Sequence, residues 1–166
     1  LPTVDHPDFD AWVESLPPGV QASIRSAPTL PALLETAPYL MGLAKTHAEW
    51  LATVLAGEPD TAMAAIFADL RAAGRENLEE AQLAARLRVA KGRSALLAAV
   101  AETGGAWTTA RATEVLADLA DVALDAALDF LMRRAHERGQ LSISVEEATA
   151  ANSGLALFAL GKHGGR

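Results

Sequence analysis

Gly161-Lys162-His163-Gly164-Gly165-Arg166 places three glycines among three side chains able to carry positive charge. Successive backbone N–H groups in such a turn can form an anion-binding nest, to which Lys162 and Arg166 would add charge. Glycine matters there because no Cβ keeps the backbone from approaching a phosphate. The segment is not a P-loop, because Gly154 lies seven residues before Gly161 and His163 stands where Ser or Thr would follow the lysine. It is not the dinucleotide fingerprint either. A glycine-rich segment can also be an ordinary turn. Gly161, Lys162, Gly164, Gly165 and Arg166 are the candidate phosphate-contacting residues.

Other reactive residue types form weaker patterns. Glu114, Asp118, Asp121, Asp125 and Asp129 are spaced four, three, four and four apart, which aligns their carboxylates along one helix face. Such a ladder could hold a cation or dock a basic partner, but it also describes the solvated face of an amphipathic helix, which is the expected role. No Glu-x-x-His pairs accompany it, so a bundle metal site is not expected. Residues 71–93 carry six bases and three acids, whereas residues 102–129 carry six acids and only Arg111. Mutual neutralisation is expected, with a basic surface for an acidic partner or nucleotide phosphate as the alternative. His6, His47, His136 and His163 lack metal-ligand spacing, and Trp12, Trp50 and Trp107 suit packing. No catalytic or metal-binding residue is assigned.

The elements that must position these residues are helical. The chain has 166 residues, 37 of them Ala and 24 Leu, against 12 Val and Ile together. Strong helix formers dominate and β-branched residues are scarce. Zero cysteines exclude disulfides and thiolate chemistry. A net charge of −7 gives no footprint for non-specific nucleic-acid or anionic-membrane binding. The acidic start lacks the basic character of a targeting peptide, and the longest uncharged stretch, 148–161, is too short to span a bilayer. A cytoplasmic location is expected.

Prolines at 2, 7, 17, 18, 28, 31 and 38 predict short helices over 9–16 (capped by Asp8), 20–25 and 32–37. Longer patterns follow over 39–56 and 61–73, with Gly74 as the stop. Two long helices, about 77–102 and 108–138, should form an antiparallel hairpin, and Gly92 inside the first should mark a close contact or bend. Ser144-x-x-Glu147 reads as a capping box opening a short helix to about Ala151. Leu155 to Leu160 reads as a buried strand. The expected fold is mainly α: a helical bundle over 1–139 with a long hairpin, then, over 140–166, the first strand of a further, truncated domain.

Leu157-Phe158-Ala159-Leu160-Gly161-Lys162-His163-Gly164-Gly165-Arg166 resembles the start of the nucleotidyltransferase signature of the glutamine synthetase adenylyltransferase and adenylyl-removing family. There a strand enters a Gly-Lys-x-Gly-Gly-Arg turn, followed by Glu-Leu-Asn and a Ser-Asp-x-Asp pair that holds magnesium. Arg86-Leu87-Arg88-Val89-Ala90-Lys91-Gly92-Arg93, with Leu96-Leu97, is similar to the family's Arg-rich helix, and Leu116-Ala117-Asp118-Leu119-Ala120-Asp121 to the helix after it. The resemblance covers roughly residues 30–166. It implies an enzyme that controls glutamine synthetase by reversible adenylylation, using ATP or ADP, phosphate and magnesium, and answering to the PII nitrogen-signalling protein. The proline-rich start suggests the unit that removes AMP by phosphorolysis. In that reading the chain is a fragment ending before the metal-holding carboxylates, so it is expected to be inactive alone and to hold no cofactor. The alternative is a stand-alone helical interaction module. Sequencing downstream of Arg166 separates them: Glu-Leu-Asn followed within about a dozen residues by Asp-x-Asp is expected for the enzyme, since two-metal phosphoryl chemistry needs carboxylates. A stop codon there would favour the module.

Overall fold

A computed structural model describes residues 5–144 and 146–158. Its regular elements are α1 (Pro7–Glu14), α2 (Pro18–Arg25), α3 (Leu30–Thr36), α4 (Pro38–Thr46), α5 (Ala48–Val54), α6 (Pro59–Ala73), α7 (Glu80–Thr103), α8 (Thr109–Glu137) and a 3-10 turn at Ala150–Asn152. They form a helical bundle with no strand among the described residues. The chain divides into two compact units, one of residues 1–64 with 92–113 and the other of 65–91 with 114–166.

In the first unit, prolines open four consecutive helices, where their missing N–H costs nothing and their fixed φ suits the first turn. The expected Asp8 cap of α1 does not form, because Pro7 takes the first turn. The carboxylate of Glu35 instead accepts from the backbone N–H groups of Phe9 at 3.0 Å and Asp8 at 3.3 Å. The helix anticipated over 39–56 is broken at His47, whose φ of −122° leaves the helical region. Two short segments result, α4 packing on α3 and α5 on α2. Phe9, Val13, Ile24, Leu30, Leu34, Leu51 and Leu96 fill the core between them.

The turn after α7 follows from its glycines. Gly105 adopts φ +80°, and the N–H of Ala106 donates to the Ala101 carbonyl at 2.8 Å, the six-to-one bond that closes a helix C-terminus. Behind it, the Trp107 indole N–H donates to Asp60 at 3.0 Å, and Arg111 donates to the other oxygen of the same carboxylate at 2.7 Å.

In the second unit Ala73, Leu83 and Phe130 form a core joined by Leu78 and Leu87. Within it the early part of α7 meets the late part of α8, the pairing an antiparallel hairpin requires. Gly74 follows α6 directly, as anticipated from its stop chemistry, but it also serves packing. A Cβ there would lie 2.7 Å from the Ala126 carbonyl oxygen.

The buried strand anticipated over Leu155–Leu160 is corrected by the structure. Residues 155–158 have no regular secondary structure, and Leu155, Leu157 and Phe158 are exposed. Ala159 and Leu160 lie outside the described residues. A strand gains its hydrogen bonds only from a neighbouring strand, and none among the described residues offers an edge. No helix among the described residues is long and apolar enough to cross a membrane.

The bonds from Arg111 first, then Trp107, hold the Asp60 carboxyl below its ordinary value of 3.8. A depressed carboxylate stabilises the folded state above its unfolded value and loses that contribution as pH falls through the folded one. Asp60→Asn should therefore lower the melting temperature at neutral pH. The gap to wild type should narrow progressively as the pH is taken below about 4. Thermal melts across that range check it, and a gap independent of pH would contradict the assignment.

Candidate functional site

The candidate phosphate turn, Gly161, Lys162, Gly164, Gly165 and Arg166 together with His163, lies outside the described residues. The segment that leads to it is described and is held in place by specific groups. It starts at Gly139, which at φ +69° ends α8 while Gln140 N–H donates to the Ala135 carbonyl at 2.9 Å. The capping box read from the sequence is formed. The Ser144 N–H donates to the Glu147 carboxylate at 3.0 Å, and the Glu147 N–H donates to the Ser144 hydroxyl at 3.3 Å. These bonds, the backbone one foremost, hold the Glu147 carboxyl below the usual range. The helix expected to follow is reduced to a turn and the 3-10 segment.

What fixes this segment to the second unit was not read from the spacing. Ala148 is fully buried. Two residues on, the N–H of Ala150 donates to Asp129 Oδ1 at 2.6 Å. Asp129 is only 8% exposed, and its other oxygen lies 3.6 Å from Arg75 Nε. A short bond from a backbone N–H to an ionised carboxylate is among the stronger hydrogen bonds available. The anticipated solvated face thus holds for Asp121 and Asp125, which are exposed, whereas Asp129 faces inward as a latch. The signal available in the sequence was its position, since Asp129 is the member of the ladder flanked by Leu128 and Phe130.

Of the six bases in the basic stretch, Arg75 and Arg86 are ion-paired within the second unit. Arg86 forks onto Glu76 at 2.8 and 3.0 Å with Asp69 at 3.8 Å, and Arg134 reaches Glu79 at 3.3 Å. Arg133 donates to the Arg75 carbonyl, steadying the latch from behind. No group of three or more His, Asp and Glu side chains among the described residues converges as metal ligands would. Trp107 is buried at the corner after α7, in line with the packing role read for the tryptophans.

The sequence, with its glycine-rich, basic terminal motif, is similar to a known class of nucleotide-transferring enzymes. The family model described as glutamate-ammonia ligase adenylyltransferase matches residues 28–166. The chain is 33% identical over 98% of its length to the bifunctional glutamine synthetase adenylyltransferase/adenylyl-removing enzyme of Bradyrhizobium diazoefficiens, covering 17% of that protein. It is 37% identical over 81% of its length to the same-named protein of Xanthobacter autotrophicus, covering 13% of it. A relative from Rhodopseudomonas palustris is 31% identical over 92% of this chain and 16% of its own length. The chain belongs to the glutamate-ammonia ligase adenylyltransferase family. It spans about one sixth of the length of the curated relatives it matches. No solved structure matches it.

If Asp129 is the latch, Asp129→Ala should free the 144–153 segment without melting α8. Removing one partner of a buried hydrogen bond costs about 1–3 kcal/mol. Amide hydrogen exchange at Ala150 should accelerate at least tenfold while the amides of α8 keep their protection. Unchanged exchange at Ala150 would remove the latch assignment.

Proposed function

We propose that this chain is the helical portion of an enzyme controlling glutamine synthetase by reversible adenylylation, from the unit that removes AMP by phosphorolysis. The observation that carries the reading is that the family match runs through residues 28–166 and so includes the Gly161-to-Arg166 turn. The relatives are bifunctional, named for both attaching and removing the adenylyl group.

In this reading residues 1–139 are a helical scaffold, and residues 140–166 lead into the nucleotidyltransferase portion. The latch at Asp129 restricts where that portion begins. Gly164 and Gly165 let backbone N–H groups approach a nucleotide phosphate. Arg166 adds a charge-assisted bond, and Lys162 contributes positive potential. Developing negative charge on the phosphoryl oxygens is what such donors stabilise. Magnesium, held by the family's Ser-Asp-x-Asp carboxylates, would supply the remaining charge stabilisation. That signature does not occur in these 166 residues, so the chain alone would release no AMP. The partners in this reading are adenylylated glutamine synthetase, the PII protein, phosphate, ADP and ATP, all met in the cytoplasm.

The test is made in a protein that continues through the carboxylate pair. Gly165→Ala and Arg166→Ala should each lower AMP release from adenylylated glutamine synthetase at least tenfold, about 1.4 kcal/mol of transition-state stabilisation, with the melting temperature nearly unchanged. AMP attachment should persist. Full AMP release in both variants would refute the phosphate role. Parallel loss of activity and stability would assign the glycine to turn geometry. Loss of attachment alone would place the turn in the other unit.

A further inference from the structure

The break between α4 and α5 opens a cavity of about 340 Å3 in the first unit, lined by Lys45, His47, Glu49, Trp50 and Arg93. This lies in the size range of small-molecule sites. Leu16 and Val20 supply an apolar edge. The cavity exists because α7 passes unusually close to the break. A Cβ on Gly92 would lie 3.0 Å from Leu43 and 3.4 Å from His47, side-chain atoms that would have to give way, so glycine eases the approach that brings Arg93 to the cavity.

Arg93 sits with its guanidinium 5.2 Å from the centre of the Trp50 ring, a cation–π contact that holds the fork in place. Its Nε is buried without a hydrogen-bond partner, and among the described residues Arg93 makes no ion pair. Glu49 lines the same cavity yet is not close enough to pair with it or with Lys45. The Arg93 Nε is closed off from solvent, so the donors Arg93 can offer a ligand in the cavity are the terminal N–H groups of its guanidinium, which no carboxylate among the described residues claims. His47 packs edge-on to the Trp50 ring at 6.4 Å. Burial, with Arg93 adding to it, holds its pKa below 6.5, so at neutral pH its imidazole is uncharged and offers one donor and one acceptor. The cavity therefore presents two cations, one carboxylate and a neutral imidazole.

We propose that this cavity is a binding site for a small phosphate-bearing molecule, with Arg93 as its forked donor and Lys45 as its second charge. Phosphate suits the set better than carboxylate. Its terminal oxygens can meet a planar fork and a separate ammonium together, and its charge of about −1.5 to −2 at pH 7 matches two cations. A carboxylate has two oxygens, which the fork alone would occupy. Trp50 gives the body of the molecule a ring to rest against. The site is distinct from the Gly161-to-Arg166 turn and does not depend on its assignment.

Isothermal titration of the 166-residue chain with inorganic phosphate and with phenyl phosphate tests this, glutarate serving as the carboxylate probe. Nuclear magnetic resonance locates binding through the Trp50 indole N–H and the amides of residues 46–50. Saturable phosphate binding that moves those signals is expected, weakened at least tenfold by Lys45→Gln and by Arg93→Gln and unaffected by Arg166→Ala. Tighter binding of phenyl phosphate than of phosphate identifies a monoester ligand, and equal binding identifies free phosphate. Lys45 is exposed, so its variant decides the matter if Arg93→Gln fails to fold. Absence of saturable binding, or binding unchanged in Lys45→Gln, overturns the site. Binding abolished by Arg166→Ala and retained in Lys45→Gln assigns the phosphate to the turn instead. Glutarate binding as tightly as phenyl phosphate overturns the choice of phosphate.

Discussion

Close approach of helix backbones, permitted by small side chains, is the constraint on which both units depend. In the second unit a Cβ on Gly74 would fall 2.7 Å from the Ala126 carbonyl oxygen and 2.9 Å from its Cα. In the first, Gly92 lies where a Cβ would meet Leu43 and His47. Around these points alanines carry the burial: Ala44, Ala48 and Ala52 in one unit, Ala73, Ala90 and Ala126 in the other. Alanines bring many backbone and Cβ atoms into dispersion contact, alongside large side chains such as Phe9, Ile24, Leu34 and Leu51 that fill the core of the first unit. At Gly74 enlargement is tolerated poorly, because the neighbour is the Ala126 backbone and cannot change rotamer, whereas at Gly92 the neighbours are the side chains of Leu43 and His47.

Polar side chains tie this packing together, two of them, Ser94 and Asp129, from buried positions. Ser94, fully buried, donates to the Met63 sulfur at 3.4 Å. Glu35 caps a helix 26 residues away in sequence. Asp60 ties down the corner after α7, and Asp129 holds the segment beyond α8. Glu35, Asp60 and Asp129 accept backbone or indole N–H groups, and Asp60 also accepts from Arg111. Arg93 Nε, like His6 Nδ1 and His136 Nδ1, is buried without a hydrogen-bond partner. What marks the α4–α5 cavity is the gathering of Lys45, Trp50 and an Arg93 that makes no ion pair among the described residues.

The functional argument rests on two different kinds of warrant. Family membership comes from similarity along the chain and carries the proposed reaction. The physical structure contributes the scaffold and the latch ahead of the candidate turn. The latch gives the acidic ladder a meaning that its spacing concealed. Four carboxylates at helical intervals resemble a solvated stripe, and the fifth continues the spacing while facing inward.

Much of the architecture was legible in the residues alone, and for one reason: helix existence is a local matter. Prolines at first turns, the glycines after α7 and α8, the Ser144–Glu147 box and the 3–4 spacing of Met63, Ile66, Phe67 and Leu70 each depend on neighbours within a turn or two. The segment Gly161 to Arg166 was read as phosphate chemistry from equally local features, and it lies outside the described residues. What only the tertiary structure decided involves partners far apart in sequence. The helix break at His47 reflects α4 and α5 packing on different helices, and the cap of α1 comes from Glu35 rather than Asp8. The inward turn of Asp129 requires Ala150, and Gly92 eases the approach of α7 that brings Arg93 to Lys45 and Trp50. The apolar run at Leu155 shows the limit most directly. Its composition suits a strand, but a strand is a relation between two chain segments, and the neighbour that would make it one is not among the described residues.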